Sequence, residues 1–247
     1  MESLTRSVVV LLVAATQVCQ ASPVPKRVER EGVIYEVVEA KPQHLRVLWK
    51  DSKGAPLRQF SAAAAYLRDQ GETPLIMMNG GIFEADGRPS GLLVQEGKLL
   101  QPVNRSDGKG NFFLKPNGIL EIAHGQARIV DTVEHRAEGP GVTYAVQSGP
   151  LLLKAGRIHP SFNKESNSRL HRNGVGVTAQ GNVVLAITAF DSTRRPNLYE
   201  FAELFRVYSC SNALFLDGDL SQMRSGIDLE KSSNNFVSII AIVEEKQ

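Results

Sequence analysis

Apolar and polar positions alternate over short stretches along most of this chain, and only two stretches carry the three- and four-residue spacing of a helix face. Val33-Ile34-Tyr35-Glu36-Val37-Val38 and Leu45-Arg46-Val47-Leu48-Trp49 are rich in branched and aromatic side chains and predict strands. Asp51-Ser52-Lys53-Gly54 turns the chain. Ser61 is placed to cap a helix through Ala62 to Leu67, with Gly71 able to take the left-handed conformation at its end. Leu75-Ile76-Met77-Met78 then predicts a short buried strand.

From there to about Arg157 short strands are split by Glu96-Gly97, Pro116-Asn117-Gly118 and Ala155-Gly156, each suited to a tight turn. Ala179-Gln180-Gly181-Asn182 joins two more strands as a hairpin. Pro196 suits a first helical turn, and Leu198, Phe201, Ala202, Phe205 and Tyr208 form one apolar face to bury on a sheet. Ala213 to Leu216 and Phe236 to Val243 complete the strands. The pattern predicts an α+β fold, a single domain of mostly antiparallel or mixed sheet with two main helices over residues 32–247.

The beginning of the chain reads as an address. Arg6 precedes an apolar run from Val8 to Val18, and Cys19-Gln20-Ala21 presents small residues where a signal peptidase reads. Residues 1–21 are expected to be a signal peptide, and 22–31, with two prolines and several charges, an exposed lead-in. The run of about 11 residues is too short to span roughly 30 Å of hydrocarbon, so no stable transmembrane anchor is expected after processing. The expectation is an exported protein, periplasmic in a Gram-negative source and otherwise secreted. Cys210 is then the sole cysteine, which rules out an intramolecular disulfide.

Composition narrows the partners. The 247 residues are 42% hydrophobic and 22% charged with a net charge of +2, an ordinary globular balance with no basic block to neutralise a run of phosphates. Nucleic acid is not expected as a partner. The chain has no His-Glu-x-x-His pair, Cys-x-x-Cys or phosphate-loop Gly-Lys-Ser/Thr string, and its five histidines show no ligand spacing. Ser148 lacks the Gly-x that precedes a nucleophile elbow, and Pro150 obstructs the helix that must follow one.

Five glycine-bounded polar segments lie at the ends of apolar strands. They are Asn79-Gly80-Gly81-Ile82-Phe83, Gly110-Asn111-Phe112-Phe113, Gln147-Ser148-Gly149-Pro150, His171-Arg172-Asn173-Gly174-Val175-Gly176 and Leu216-Asp217-Gly218-Asp219-Leu220-Ser221. Each alone reads as a turn; together they read as the walls of a site, where glycine lets backbone amides approach a ligand. These strings resemble the phosphodiester glycosidase family from about Val33 to Val243. The resemblance implies an α+β fold and cleavage between a sugar's anomeric carbon and a phosphodiester oxygen. The chain departs from the family pattern at Asp219, where glycine is expected, and at Asn173, where a small or hydroxylated residue is usual.

That chemistry assigns tasks. A guanidinium can hold phosphodiester oxygens through two charge-assisted hydrogen bonds, so Arg172 is the candidate phosphate clamp; a structural ion pair is its alternative. The amides of Gly80 and Gly81 can add donors, and the Asn79 carboxamide can bond a sugar hydroxyl or serve only as a turn residue. Asn111 and Ser148 join this substrate-binding set, with Asp219 and Ser221 as hydroxyl-binding groups. Phosphate leaves readily, so stabilising positive charge at the anomeric carbon is the larger need, and a fixed carboxylate answers it. Asp217, directly after an apolar strand, is the candidate nucleophile or base; capping a turn is its structural alternative. Asp191 is the candidate second carboxylate.

Asp217, Asp219, Ser221 and Asp228 loosely follow a calcium loop, but Gln222 stands where that loop needs glycine, so a divalent cation near Asp217 and Asp219 is not favoured and no cofactor is expected. The expected function is an exported hydrolase acting on a glycan or small molecule that carries a sugar phosphodiester. Its alternative is a non-catalytic module that binds a glycan or envelope polysaccharide with the same strand ends.

Overall fold

The computed structural model describes residues 23–136 and 141–244, so the predicted signal peptide lies outside the described residues. The described chain forms three antiparallel sheets. The largest has seven strands in the order β1 (Lys26–Arg30), β2 (Val33–Ala40), β13 (Val183–Thr188), β12 (Asn173–Thr178), β14 (Cys210–Asp217), β10 (Leu151–Lys154) and β11 (Arg157–Ile158). A four-stranded sheet runs β15 (Met223–Ser225), β4 (Pro74–Asn79), β16 (Ile239–Val243), β3 (Leu45–Leu48). The third runs β6 (Lys98–Gln101), β5 (Leu93–Gln95), β9 (Val142–Ser148), β7 (Gly118–Ala123), β8 (Gln126–Asp131). With two α-helices, α1 (Phe60–Asp69) and α2 (Leu198–Val207), this is the predicted α+β class.

Alternation decides which residue meets which layer. On β12 and β14, Val175, Val177, Leu214 and Leu216 face inward and share one apolar cluster with Met78 and Ile240 of the four-stranded sheet and Leu120 and Val146 of the five-stranded one. The opposite face of the seven-stranded sheet carries Tyr35, Val184, Ala186 and Phe215 against Phe201 and Phe205 of α2. Helix α1 covers the far side of the four-stranded sheet, with Phe60, Ala63 and Leu67 on Met77 and Ile239. The order of layers is thus α2, large sheet, paired smaller sheets, α1.

Local chemistry explains most element ends. Glu96-Gly97 and Ala155-Gly156 both hold positive φ at both positions, the conformation of a two-residue hairpin turn. Pro116-Asn117-Gly118 instead bends the chain into β7, because the Asn117 and Pro116 carbonyls accept from Thr132 and Leu151 in other segments. Helix α1 starts one residue before Ser61: Gln59 is its N-cap without a side-chain bond, and the Phe60 amide donates to Ser233 Oγ at 3.2 Å. Helix α2 is capped by Asn197, whose side chain accepts from the Glu200 amide while Glu200 accepts from the Asn197 amide, so Pro196 precedes the cap.

The predicted lead-in is also a strand. Lys26 to Arg30 pairs in register with Val37 to Val33 through the Glu31-Gly32 turn, and its charges keep an edge strand from pairing further.

The glycines of β12 are there for packing. A Cβ on Gly174 would lie 2.9 Å from the Leu214 carbonyl oxygen, and one on Gly176 would lie 2.5 Å from Cys210 Sγ and 2.7 Å from Phe205. Their absence of side chain lets α2 lie close on the sheet. Phe205 fills that contact, fully buried and edge-on to Phe201 at 5.3 Å. Phe205→Ala is therefore expected to cost about 3–5 kcal/mol of unfolding free energy, measured by urea denaturation.

Candidate active site

The site begins where β4, β12 and β14 end side by side between the large sheet and the four-stranded one. Asn173 is its hub. Its Oδ1 accepts from the Asp217 amide at 2.7 Å, and its Nδ2 donates to the Asn79 carbonyl at 2.8 Å and to Asn79 Oδ1 at 3.1 Å. Asn79 Oδ1 also accepts from the Gln222 amide at 2.9 Å, and Asn79 Nδ2 donates to Asp217 Oδ2 at 3.5 Å. Asn79 and Asn173 are buried with every amide function in use. One polar cluster thereby ties three chain segments into a fixed carboxylate.

Burial pushes the Asp217 carboxyl above the ordinary range; the Gly218 amide, donating to Oδ1 at 2.7 Å, opposes this, and the charge of Asp219 adds to the rise. A raised pKa makes the carboxylate a better proton acceptor.

Arg172, one residue before Asn173, turns to the other face of the strand by the two-residue alternation. Its guanidinium lies over the Phe215 ring, 5.7 Å from the centroid, with Nε donating to the Pro196 carbonyl at 3.1 Å and Nη2 to the Ser168 carbonyl at 2.9 Å. It is among the largest fully buried side chains, and among the described residues it forms no ion pair with a carboxylate. Burial draws its pKa down to about 10 while Asp219 raises it, so the group stays cationic at neutral pH. An isolated buried cation is costly without a counter-ion.

The remaining sequence-predicted residues divide by contact. Ser148 is buried; its hydroxyl donates to the Leu216 carbonyl at 2.9 Å and accepts from the Ile82 amide at 3.4 Å, bracing two site segments. The Gly80 amide donates to the Ser238 carbonyl at 2.8 Å and so is engaged, whereas the Gly81 amide bonds to no described residue. Both glycines are steric: a Cβ on Gly80 would lie 2.4 Å from Ser238 Oγ, and one on Gly81 would lie 2.8 Å from the Gln147 carbonyl oxygen. Asn111 packs its backbone against Gly149, its carbonyl oxygen 3.2 Å from where a Cβ there would stand. Asp219 is exposed beside the cluster, and Ser221 is buried with its hydroxyl unpartnered.

Asp191 is placed elsewhere. It is exposed and bonded by Arg27 Nη2 through both carboxylate oxygens at 2.9 Å, not by any member of the cluster. Two residues of the fourth polar segment, Asn173 and His171, have no role assigned from sequence. In the sequence Asn173 stands out as a departure from the family pattern, and His171 is one of five histidines without ligand spacing. His171 is buried with Nε2 unpartnered, and burial and then Arg195 hold its pKa down, against Asp219. Among the described residues no group of three metal-ligating side chains is gathered.

A strand-end cluster of buried amides around one half-buried carboxylate thus sits on a layered antiparallel α+β fold. The chain belongs to the phosphodiester glycosidase family, whose model matches residues 73–235. It is 31% identical over 209 residues to the uncharacterised YigE protein of Escherichia coli K12, covering 83% of this chain and 79% of that one. Its fold is similar to the catalytic domain of zebrafish N-acetylglucosamine-1-phosphodiester α-N-acetylglucosaminidase, auto-inhibited by its pro-peptide. That likeness has a TM-score of 0.64 at 16% identity and covers 91% of this chain and 83% of that one. A protein of Burkholderia pseudomallei matches with a TM-score of 0.55 at 13% identity, over 86% and 74% of the two chains.

The raised Asp217 pKa has a consequence for stability. The folded state holds this proton more tightly than the unfolded chain, whose Asp sits near 3.8. The contribution is therefore favourable at acid pH and is lost as pH rises from that value through the folded pKa. Measured by urea denaturation across a pH series, wild type should lose stability relative to Asp217→Asn over that interval and hold a constant difference above it.

Proposed function

We propose that this protein is an exported hydrolase that cleaves the bond between a sugar's anomeric carbon and a phosphodiester oxygen. One observation carries the reading: the half-buried Asp217 carboxyl, its pKa raised, is fixed by the buried amides of Asn79 and Asn173 at a strand end whose opposite face holds the buried Arg172 without a carboxylate partner. Family membership supports the same chemistry, and the leader-like run from Val8 to Val18 supports export. Among the described residues no helix is long and apolar enough to cross a membrane.

In the proposed reaction the Arg172 guanidinium meets a phosphate oxygen and neutralises the charge that grows as the anomeric C–O bond breaks. The electron pair leaves with the phosphate monoester, and water supplies the new hydroxyl. Asp217 faces the anomeric carbon, stabilises the positive charge there and takes the proton from the attacking water. Asn79 and Asn173 hold that carboxylate in place. Asp219, exposed and with no side-chain hydrogen bond among the described residues, is available to a sugar hydroxyl; Asp191, bound to Arg27, has no part in this scheme.

The purified mature protein should release free sugar from an α-sugar phosphodiester. Asp217→Asn should lower kcat by about 10³-fold or more with an unchanged circular dichroism spectrum. Arg172→Lys keeps the charge but loses the planar fork, and should reduce kcat/KM by about tenfold or more. Saturable binding of the substrate with no turnover in wild type, or undiminished turnover in Asp217→Asn, overturns the assignment.

A further inference from the structure

Between α2 and the edge of the large sheet lies a cavity of about 200 Å³. Strand alternation sets its floor. Arg30 pairs with Val33 across β1 and β2, and Tyr35 lies two residues beyond Val33, so Arg30 and Tyr35 project from the same face of the sheet. Tyr35 packs there on Phe201 of α2, the two rings stacked at 6.1 Å. One wall is the helix, where Tyr199, Glu203 and Arg206 recur at four- and three-residue spacing and share a stripe. The other is the loop before β12: the Lys164 carbonyl accepts from Asn197 Nδ2 at 2.9 Å, which pins that loop to the helix cap. Asn79, Asn173 and Asp217 line no part of this cavity.

The Tyr35 side chain is 1% exposed, yet among the described residues its hydroxyl has no hydrogen-bond partner. Burial, then the charge of Glu200, push its pKa up, so it stays an O–H donor. A buried hydroxyl left unbonded is unfavourable, and this one borders an open space. The charged groups around it are met unevenly. Glu200 is held by Arg169 and Arg194 at 2.6 and 2.7 Å. Arg206 donates from both Nε and Nη2 to Glu203 Oε2, which leaves Glu203 Oε1 free to accept. Among the described residues Arg30 and Lys164 form no ion pair, and Glu31 is the one lining carboxylate in the same state, so the unmet charge is cationic in surplus. Free cations call for an acid group; a free phenol donor and a free carboxylate oxygen call for hydroxyls. A cavity of about 150 Å³ can hold a benzene ring, so this one has room for a single six-membered ring with a charged substituent.

We propose that this cavity is a second ligand site and that its ligand is a single anionic sugar. The acid group meets Arg30 and Lys164, one sugar hydroxyl accepts from the Tyr35 O–H, and another donates to Glu203 Oε1. No chemistry is done there, and the site does not depend on the phosphodiester reading.

Calorimetric titration with glucose 6-phosphate, glucose and inorganic phosphate separates the two demands. Glucose 6-phosphate should bind wild type at least about tenfold tighter than either of the others, because it alone meets both the cations and the hydroxyl partners. Tyr35→Phe removes only the hydroxyl. It should weaken glucose 6-phosphate about three- to tenfold, the worth of one hydrogen bond, without lowering the thermal midpoint or the affinity for inorganic phosphate. Arg30→Gln/Lys164→Gln should weaken glucose 6-phosphate about tenfold or more, whereas Lys53→Gln/Lys98→Gln, which removes the same charge from exposed positions elsewhere, should leave it unchanged. Asp217→Asn should bind it as wild type does. Equal affinities for the three probes, undiminished binding in either cavity variant, equal loss in the lysine control, or an altered affinity in Asp217→Asn each overturn the proposal. None of these titrations involves sugar release, so the cavity and the hydrolase stand or fall separately.

Discussion

The carboxamide of Asn173 is the interaction on which the active end depends. It sits at the first position of β12 and bonds to β4 through Nδ2 and to β14 through Oδ1, so one side chain spans two sheets. An amide is suited to this because it donates and accepts at once, and each atom here meets a partner of the right kind. Were it absent, the Asn79 carbonyl and the Asp217 amide would be left without these bonds, and leaving buried polar groups unpaired costs about 1–3 kcal/mol apiece. The apolar core holds the sheets together over most of their area, but it is non-directional. The hydrogen bonds at the strand ends set the position of Asp217 relative to Asn79.

The electrostatic design follows from the same geometry. Successive residues of a strand face opposite ways, so Arg172 and Asn173 cannot both enter the space between the sheets. The arginine goes under α2, among Phe215 and the carbonyls of Ser168 and Pro196, while the asparagine and Asp217 stay between the layers. The two opposite charges are kept from forming a direct ion pair with each other. A closed pair would satisfy both and leave nothing to recognise an anion; apart, each retains an unmet need. Asp219 modulates both, raising the pKa of Arg172 and of Asp217 together.

Much of the fold was legible because local chemistry set it: hairpin turns at Glu96-Gly97 and Ala155-Gly156, the apolar face of α2, the alternating core strands. Lys26 to Arg30 was not, since an edge strand made of charged residues has the composition of a linker and gains its structure only from β2. That strand also governs Asp191. A strand-end aspartate reads the same whether it faces a site or solvent, and the deciding partner, Arg27, lay in the segment read as lead-in. Asn79 and Asp217 stood out as polar residues closing apolar strands. The role of Asn173 depends on partners 94 and 44 residues away, which no local pattern contains. Gly80 and Gly81 were visible as glycines, but their reason, close passage beside Ser238 and Gln147, is tertiary.

With Asp191 engaged by Arg27, the cluster holds one half-buried carboxylate where glycosidases usually set two. The leaving group accounts for the difference. An alcohol departing from an anomeric carbon needs a proton from a second acid, whereas a phosphate departs as a stable anion and needs a cation instead. In the proposed reaction the guanidinium of Arg172 takes the place of the general acid. It also explains why a buried arginine without a carboxylate is tolerated: its counter-ion arrives with the substrate. A second carboxylate beside Arg172 would neutralise it and repel the phosphate, so a single acid and an unpaired base are together what this bond requires.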